Sequence, residues 1–147
     1  MKRLRMWWAM AAILVAMLGI AAQSVLAFPM PDPTLVISLK DLPVASEHRI
    51  PDGLRMRTWP GGRPTHVLVS LGEDGVWRAF PNRSTHLGEP VVWNEQHGRW
   101  LDYISGAMWD RDGRPVAGPA PRGLDWYPVS VEGDVLVVDL SRPQFGR

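Results

Sequence analysis

Glycine and proline set the first limit on what this chain can fold into: 14 of each occur among 147 residues. Beyond a Pro29-Met30-Pro31-Asp32-Pro33 stretch, no segment keeps a long 3.6-residue apolar period. Proline removes a backbone donor and fixes φ, and glycine weakens helix interiors, so such punctuation favours short elements joined by turns. Runs of β-like composition fill the intervals: Leu35–Leu39, His66–Leu71, Val76–Phe80, Val91–Trp93, Arg99–Tyr103, Tyr127–Val131 and Val135–Leu140. Gly72-Glu73-Asp74-Gly75, Glu95-Gln96-His97-Gly98 and Gly133-Asp134 fit hairpin connections between them, and Asp112-Gly113 fits a tight turn. The pattern predicts an all-β domain, a small antiparallel sandwich or barrel. At 46% hydrophobic residues the chain can bury a core of single-domain size, which excludes wholesale disorder.

Residues 1–27 stand apart. Lys2, Arg3 and Arg5 precede an uncharged apolar stretch from Met6 to Ala22, followed by Gln23-Ser24-Val25-Leu26-Ala27. This composition reads as an apolar helix serving as a signal peptide or an N-terminal membrane anchor. Small residues at Val25 and Ala27 suit cleavage, whereas Trp7-Trp8 suits an interfacial belt and retention of residues 6–27 in the membrane. Under either reading the basic end stays inside and the body crosses to the outer side, either secreted or anchored to the membrane. The expected organisation is a leader over 1–27, a proline-rich spacer over 28–34 and a domain over 35–147.

Charge and cysteine content exclude several function classes. Without the leader, 13 basic face 15 acidic residues, and no basic run remains to neutralise nucleic-acid phosphates. No cysteine is present, so disulfides, thiolate nucleophiles and cysteine-ligated metals are impossible. The four histidines, His48, His66, His86 and His97, form no zinc-protease motif. His48, His66 and His97 read as turn or strand-end residues. Glu73-Asp74 and Asp110-Arg111-Asp112-Gly113 read as turn chemistry before general acid–base chemistry. Eight tryptophans are many for this length, and most are expected in or capping the core.

The segment Ala79–Val131 resembles a bacterial-type Rieske iron–sulfur domain. Such domains carry Cys-Thr-His-Leu-Gly-Cys, a hairpin, Cys-Pro-Cys-His-Gly-Ser, a turn and a Gly-Pro-Ala-Pro-Arg loop. Here Ser84-Thr85-His86-Leu87-Gly88-Glu89 precedes Asp102-Tyr103-Ile104-Ser105-Gly106-Ala107-Met108-Trp109-Asp110, and Gly118-Pro119-Ala120-Pro121-Arg122 comes after both. The resemblance implies a Rieske-like fold with two cluster-type loops and a proline loop. It also implies that the four ligand positions are Ser84, His86, Asp102 and Ser105, of which only His86 keeps its family identity. The disulfide positions have become Glu89 and Ile104, and the serine that hydrogen-bonds the family's [2Fe–2S] cluster has become Ala107. Thiolates are poorly replaced by alcohols or a carboxylate, so no cofactor is expected. Tyr103, Ile104, Met108 and Trp109 are expected to fill the vacated volume.

The same resemblance sets the expected function. The chain is expected to be a cluster-free structural or interaction subunit near an electron-transfer complex, without catalytic activity of its own. Its partner would be a protein, through a surface of His86, Leu87, Met108, Trp109, Pro119 and Pro121, with no nucleic acid involved. The alternative is an electron-transfer protein that keeps a non-standard metal site at His86 and Asp102. The leader agrees with a missing cofactor: Lys2-Arg3-Leu4-Arg5 lacks the arginine pair of the route that exports folded, cluster-loaded proteins.

Overall fold

A computed structural model describes residues 32–54, 56 and 63–147; the leader over 1–27 and most of the spacer lie outside the described residues. Among the described residues the regular elements are all strands, paired antiparallel in three sheets. They are β1 (Thr34–Ser38), β2 (Ala45–Arg49), β3 (His66–Leu71), β4 (Trp77–Pro81), β5 (Val92–Asn94), β6 (Arg99–Leu101), β7 (Met108–Trp109), β8 (Pro115–Ala117), β9 (Val129–Glu132) and β10 (Val135–Asp139). The sheet orders are β1-β10-β9, β2-β3-β4 and β5-β6-β7-β8. The spacer joins the first of them, because the Pro33 carbonyl accepts the Leu140 N–H at 2.9 Å.

The middle sheet organises the rest. In β3 the run Val67-Leu68-Val69-Ser70 is buried throughout, where a strand with one wet face would alternate. Successive side chains point to opposite faces, so Val67 and Val69 enter one core and Leu68 the other. The first core joins them to Ile37, Ala79, Tyr127, Leu136 and Val138 under the β1-β10-β9 sheet. The second joins Leu68 to Phe80, Trp100, Ala107, Trp109 and Leu124 under the four-stranded sheet that carries the loops. Ser70, polar and buried, donates its hydroxyl to the Arg111 carbonyl at 2.6 Å, which avoids an unmet group in that interior.

All seven expected runs correspond to strands, with ends displaced by a residue or two, and the anticipated hairpin turns connect them. Three strands escape sequence reading. Ala-Ser-Glu-His-Arg in β2 has no apolar alternation and is extended through five register pairs with β3, from Ala45↔Ser70 to Arg49↔His66. The strands β7 and β8 are only 2 and 3 residues long, too short to show a period.

The two-faced strand gives a clear mutational expectation. Leu68→Ala removes side-chain volume from a site with 0% exposure and should destabilise the domain by about 2–5 kcal/mol. Val36→Ala, at a position 59% exposed, should change stability by no more than about 0.5 kcal/mol. Denaturant unfolding of the two variants checks the difference.

Candidate functional site

Three loops meet at the end of the four-stranded sheet. The first, Ser84–Glu89, closes on itself through Ser84 N–H to the Glu89 carbonyl at 2.8 Å and Gly88 N–H to the Ser84 carbonyl at 3.0 Å. The second, Asp102–Ala107, joins β6 to β7. Asp102 N–H donates to the Ala107 carbonyl at 2.9 Å and Gly106 N–H to the Asp102 carbonyl at 2.8 Å. Gly106 turns the chain at φ 74°, a conformation that a side chain disfavours. The third is the proline loop, Gly118–Arg122, packed closely against the second. A Cβ at Gly118 would stand 2.6 Å from Ala107 Cα, so only glycine fits there.

At the centre lies Asp102, with 0% exposure. Its Oδ1 accepts the backbone N–H groups of Ile104 at 2.9 Å and Ser105 at 3.1 Å, and its Oδ2 accepts the Ser105 hydroxyl at 2.6 Å. Burial by itself pushes the Asp102 carboxyl up. The bonds from Ser105 and the two backbone N–H groups outweigh it, and the pKa falls below its ordinary 3.8. Asp102 is therefore an ionised, buried and hydrogen-bonded carboxylate at neutral pH.

Two of the four positions matching family ligands, Asp102 and Ser105, thus share one network. His86 contributes a backbone N–H that donates to Ser84 Oγ at 3.2 Å, while the residue itself is exposed. The other histidines lie on different elements: His97 bonds Asn94 in the β5–β6 turn, His66 bonds Thr65 at the start of β3, and His48 sits within β2.

The expected filling of the site is corrected. Tyr103 and Ile104 are 64% and 73% exposed, because the turn caps itself on Asp102 and leaves these two residues at its outer tip. Trp109 is wholly buried, which removes it from the expected interaction surface, and Met108 is half-buried. The reason is register: Trp109 pairs with Trp100 inside the sheet, and its indole N–H donates to the Arg122 carbonyl at 3.1 Å. His86, Leu87, Pro119 and Pro121 are exposed.

Sequence reasoning gave no role to Thr85, Arg122 or Asp125. The Arg122 carbonyl accepts the Thr85 hydroxyl at 2.9 Å as well as the Trp109 indole, so one carbonyl joins the proline loop to the first loop and to β7. The Arg122 guanidinium pairs with Asp125 and lies over the Phe145 ring, 5.7 Å from its centroid. The sequence signals were the Thr of the Thr-His-Leu-Gly stretch and the Arg that closes the Gly-Pro-Ala-Pro-Arg loop.

The donor set does not fit a Rieske cluster, which takes two thiolates on one iron and two imidazoles on the other. These positions offer two hydroxyls, one carboxylate and one imidazole, and the carboxylate already accepts hydrogen bonds on both oxygens. Among the described residues, no group of three or more His, Asp or Glu is arranged to hold a metal ion.

No family model matches the chain. Among curated proteins it is 37% identical over 78 residues to the cytochrome b6-f complex iron-sulfur subunit of Prochlorococcus marinus (strain NATL1A). It is 38% identical over 78 residues to the same subunit of Synechococcus sp. (strain CC9605). Each match takes in 52% of this chain and 43% of the relative, so the chain spans less than half the length of these relatives. Among solved structures, the cyanobacterial plasma membrane Rieske protein PetC3 from Synechocystis PCC 6803 aligns at 30% identity, over 56% of this chain and 82% of that one, with a TM-score of 0.46. The ferredoxin of carbazole 1,9a-dioxygenase from Nocardioides aromaticivorans IC177 aligns at 22% identity, over 70% and 92%, with a TM-score of 0.46.

The buried carboxylate predicts a pH response. A carboxylate whose folded pKa is lowered adds stability that is fully present above the unfolded value of 3.8 and is lost as pH falls through the folded value below it. Asp102→Asn should therefore lose less stability than the parent protein between pH 7 and pH 3. Asp102→Ala, which strands its donors without an acceptor, should cost about 1–3 kcal/mol at neutral pH. Urea midpoints measured at pH 7 and pH 3 check both.

Proposed function

The chain carries a Rieske-type domain, and on that premise we propose that it is an exported or membrane-anchored interaction subunit that works without a [2Fe–2S] cluster beside a membrane electron-transfer complex. The observation that carries this reading is Asp102. At a position where the resemblance places a thiolate ligand stands a buried carboxylate whose two oxygens are occupied by donors of its own loop. A residue engaged in this way serves packing and loop geometry, and leaves no thiolate pair to hold iron.

The proposed partner is drawn from the relatives, which are named as iron–sulfur subunits of the cytochrome b6-f complex. Contact would run through the loop tips. His86, Leu87, Pro119 and Pro121 are exposed there, and Tyr103 and Ile104 replace the buried Trp109 and half-buried Met108 in that surface. An exposed group of this composition suits a protein contact, since apolar and aromatic residues supply most interface energy. The leader supports delivery of the body to the outer side of the cytoplasmic membrane.

Protein produced with ample iron should be colourless and show no reduced-state paramagnetic signal of a [2Fe–2S] centre. A stoichiometric cluster after desalting would overturn the cluster-free reading, and stoichiometric zinc, copper or mononuclear iron lost in His86→Ala would favour the metal-site alternative. In sealed cells, protease added outside should cut the region from residue 28 onward; cleavage only after lysis would reverse the topology.

A further inference from the structure

The proline loop ends on a stretch, Gly123–Trp126, that is paired with a segment outside the expected strands. From Gln144 to Arg147 the chain runs antiparallel to that stretch. Trp126 N–H donates to the Gln144 carbonyl at 2.9 Å, Gln144 N–H returns to the Trp126 carbonyl at 2.8 Å, and Gly123 N–H donates to the Arg147 carbonyl at 2.8 Å. The two backbones touch. A Cβ at Gly146 would run into the carbonyl oxygens of Gly123 and Leu124, so the approach requires glycine. Side chains repeat the contact. Asp125, 9% exposed, accepts the Gly146 N–H at 3.0 Å on the same Oδ1 that pairs with the Arg122 guanidinium. The second Arg122 nitrogen reaches Asp125 Oδ2 at 3.3 Å, and the guanidinium lies over the Phe145 ring.

We infer that residues 144–147 form a strap that sets the position of the proline loop, with Asp125 as the positioning residue. The path is short. The strap holds Gly123 by its backbone, and Asp125 holds both the strap and the Arg122 side chain. Between them sits the Arg122 carbonyl, which must face the Thr85 hydroxyl and the Trp109 indole at once. Lifting the strap therefore moves that carbonyl, and with it the exposed Pro119 and Pro121 and the first loop next to His86 and Leu87. Asp125 carries the larger share, because charge-assisted bonds are about twice as strong as neutral ones and a carboxylate shielded from water holds its donors more tightly. The consequence for contact with a partner rests on the interaction reading proposed above. The positioning itself is a property of the fold, measured without any partner, so the failure of either is seen separately.

Hydrogen exchange in Gly146→Ala separates a positioning strap from a fraying end, because the added methyl meets facing backbone and leaves Arg122 and Asp125 in place. The Gly123 and Trp126 amides donate to the strap, and the Trp109 indole N–H donates to the Arg122 carbonyl. All three should exchange about tenfold faster or more. The Leu39 amide, bonded to the Asp134 carbonyl at 2.8 Å beside the β1-β10-β9 sheet, should keep its rate to within a few-fold. If Gly146→Ala does not fold, Asp125→Asn carries the test: it loses the ion pair with Arg122, keeps an acceptor for the Gly146 N–H, and should accelerate the Trp109 indole with Leu39 unchanged. Faster Gly123 and Trp126 amides beside an unchanged Trp109 indole would overturn the inference, since the strap would then open without moving the loop. An unchanged indole in Asp125→Asn, or equal acceleration at Leu39 in either variant, would overturn it as well.

Discussion

A carboxylate taken out of water loses several kcal/mol of hydration, and only donors placed around it can replace that loss. Asp102 is wholly buried, and its donors come from its own turn. The arrangement constrains the second loop, which must turn tightly at Gly106 to aim two N–H groups inward. The outward placement of Tyr103 and Ile104 is a consequence, since a turn that caps itself on an inner carboxylate has its intervening residues at the rim.

The proline loop supplies a second, neutral junction. One backbone carbonyl, that of Arg122, accepts from Thr85 on one side and from the Trp109 indole on the other. Its guanidinium is held by Asp125, whose carboxylate also takes the Gly146 N–H at 3.0 Å, so the segment near Phe145 is joined to the same junction. The first loop and the proline loop thus share one carbonyl bridge, above a core in which Trp100 and Trp109 are fully buried. A domain with no cysteine can hold its loop tips in this way.

Much of this was legible in the chain, for reasons that differ by element. The β3 strand was readable because a buried run of Val-Leu-Val needs no alternation, and the hairpins because Gly and Asp at fixed places demand turns. The polar Ala-Ser-Glu-His-Arg strand was not, because its extension comes from the neighbour that it pairs with. At the site, the family resemblance grouped Ser84, His86, Asp102 and Ser105. Which large residues point inward was hidden, since that depends on where the turn reverses. Ile104 lies within the reversal and Trp109 beyond it in the sheet, a difference of direction that composition does not encode.

The most direct measurement is a carbon NMR titration of the Asp102 side-chain carboxyl in the folded protein. A midpoint below 3.8 is expected, with the Ile104 and Ser105 amide resonances shifting in step, because protonation weakens the bonds that the carboxylate accepts from its own loop. A midpoint at or above 3.8, or a titration that leaves those amides unmoved, would contradict a buried carboxylate that organises the second loop.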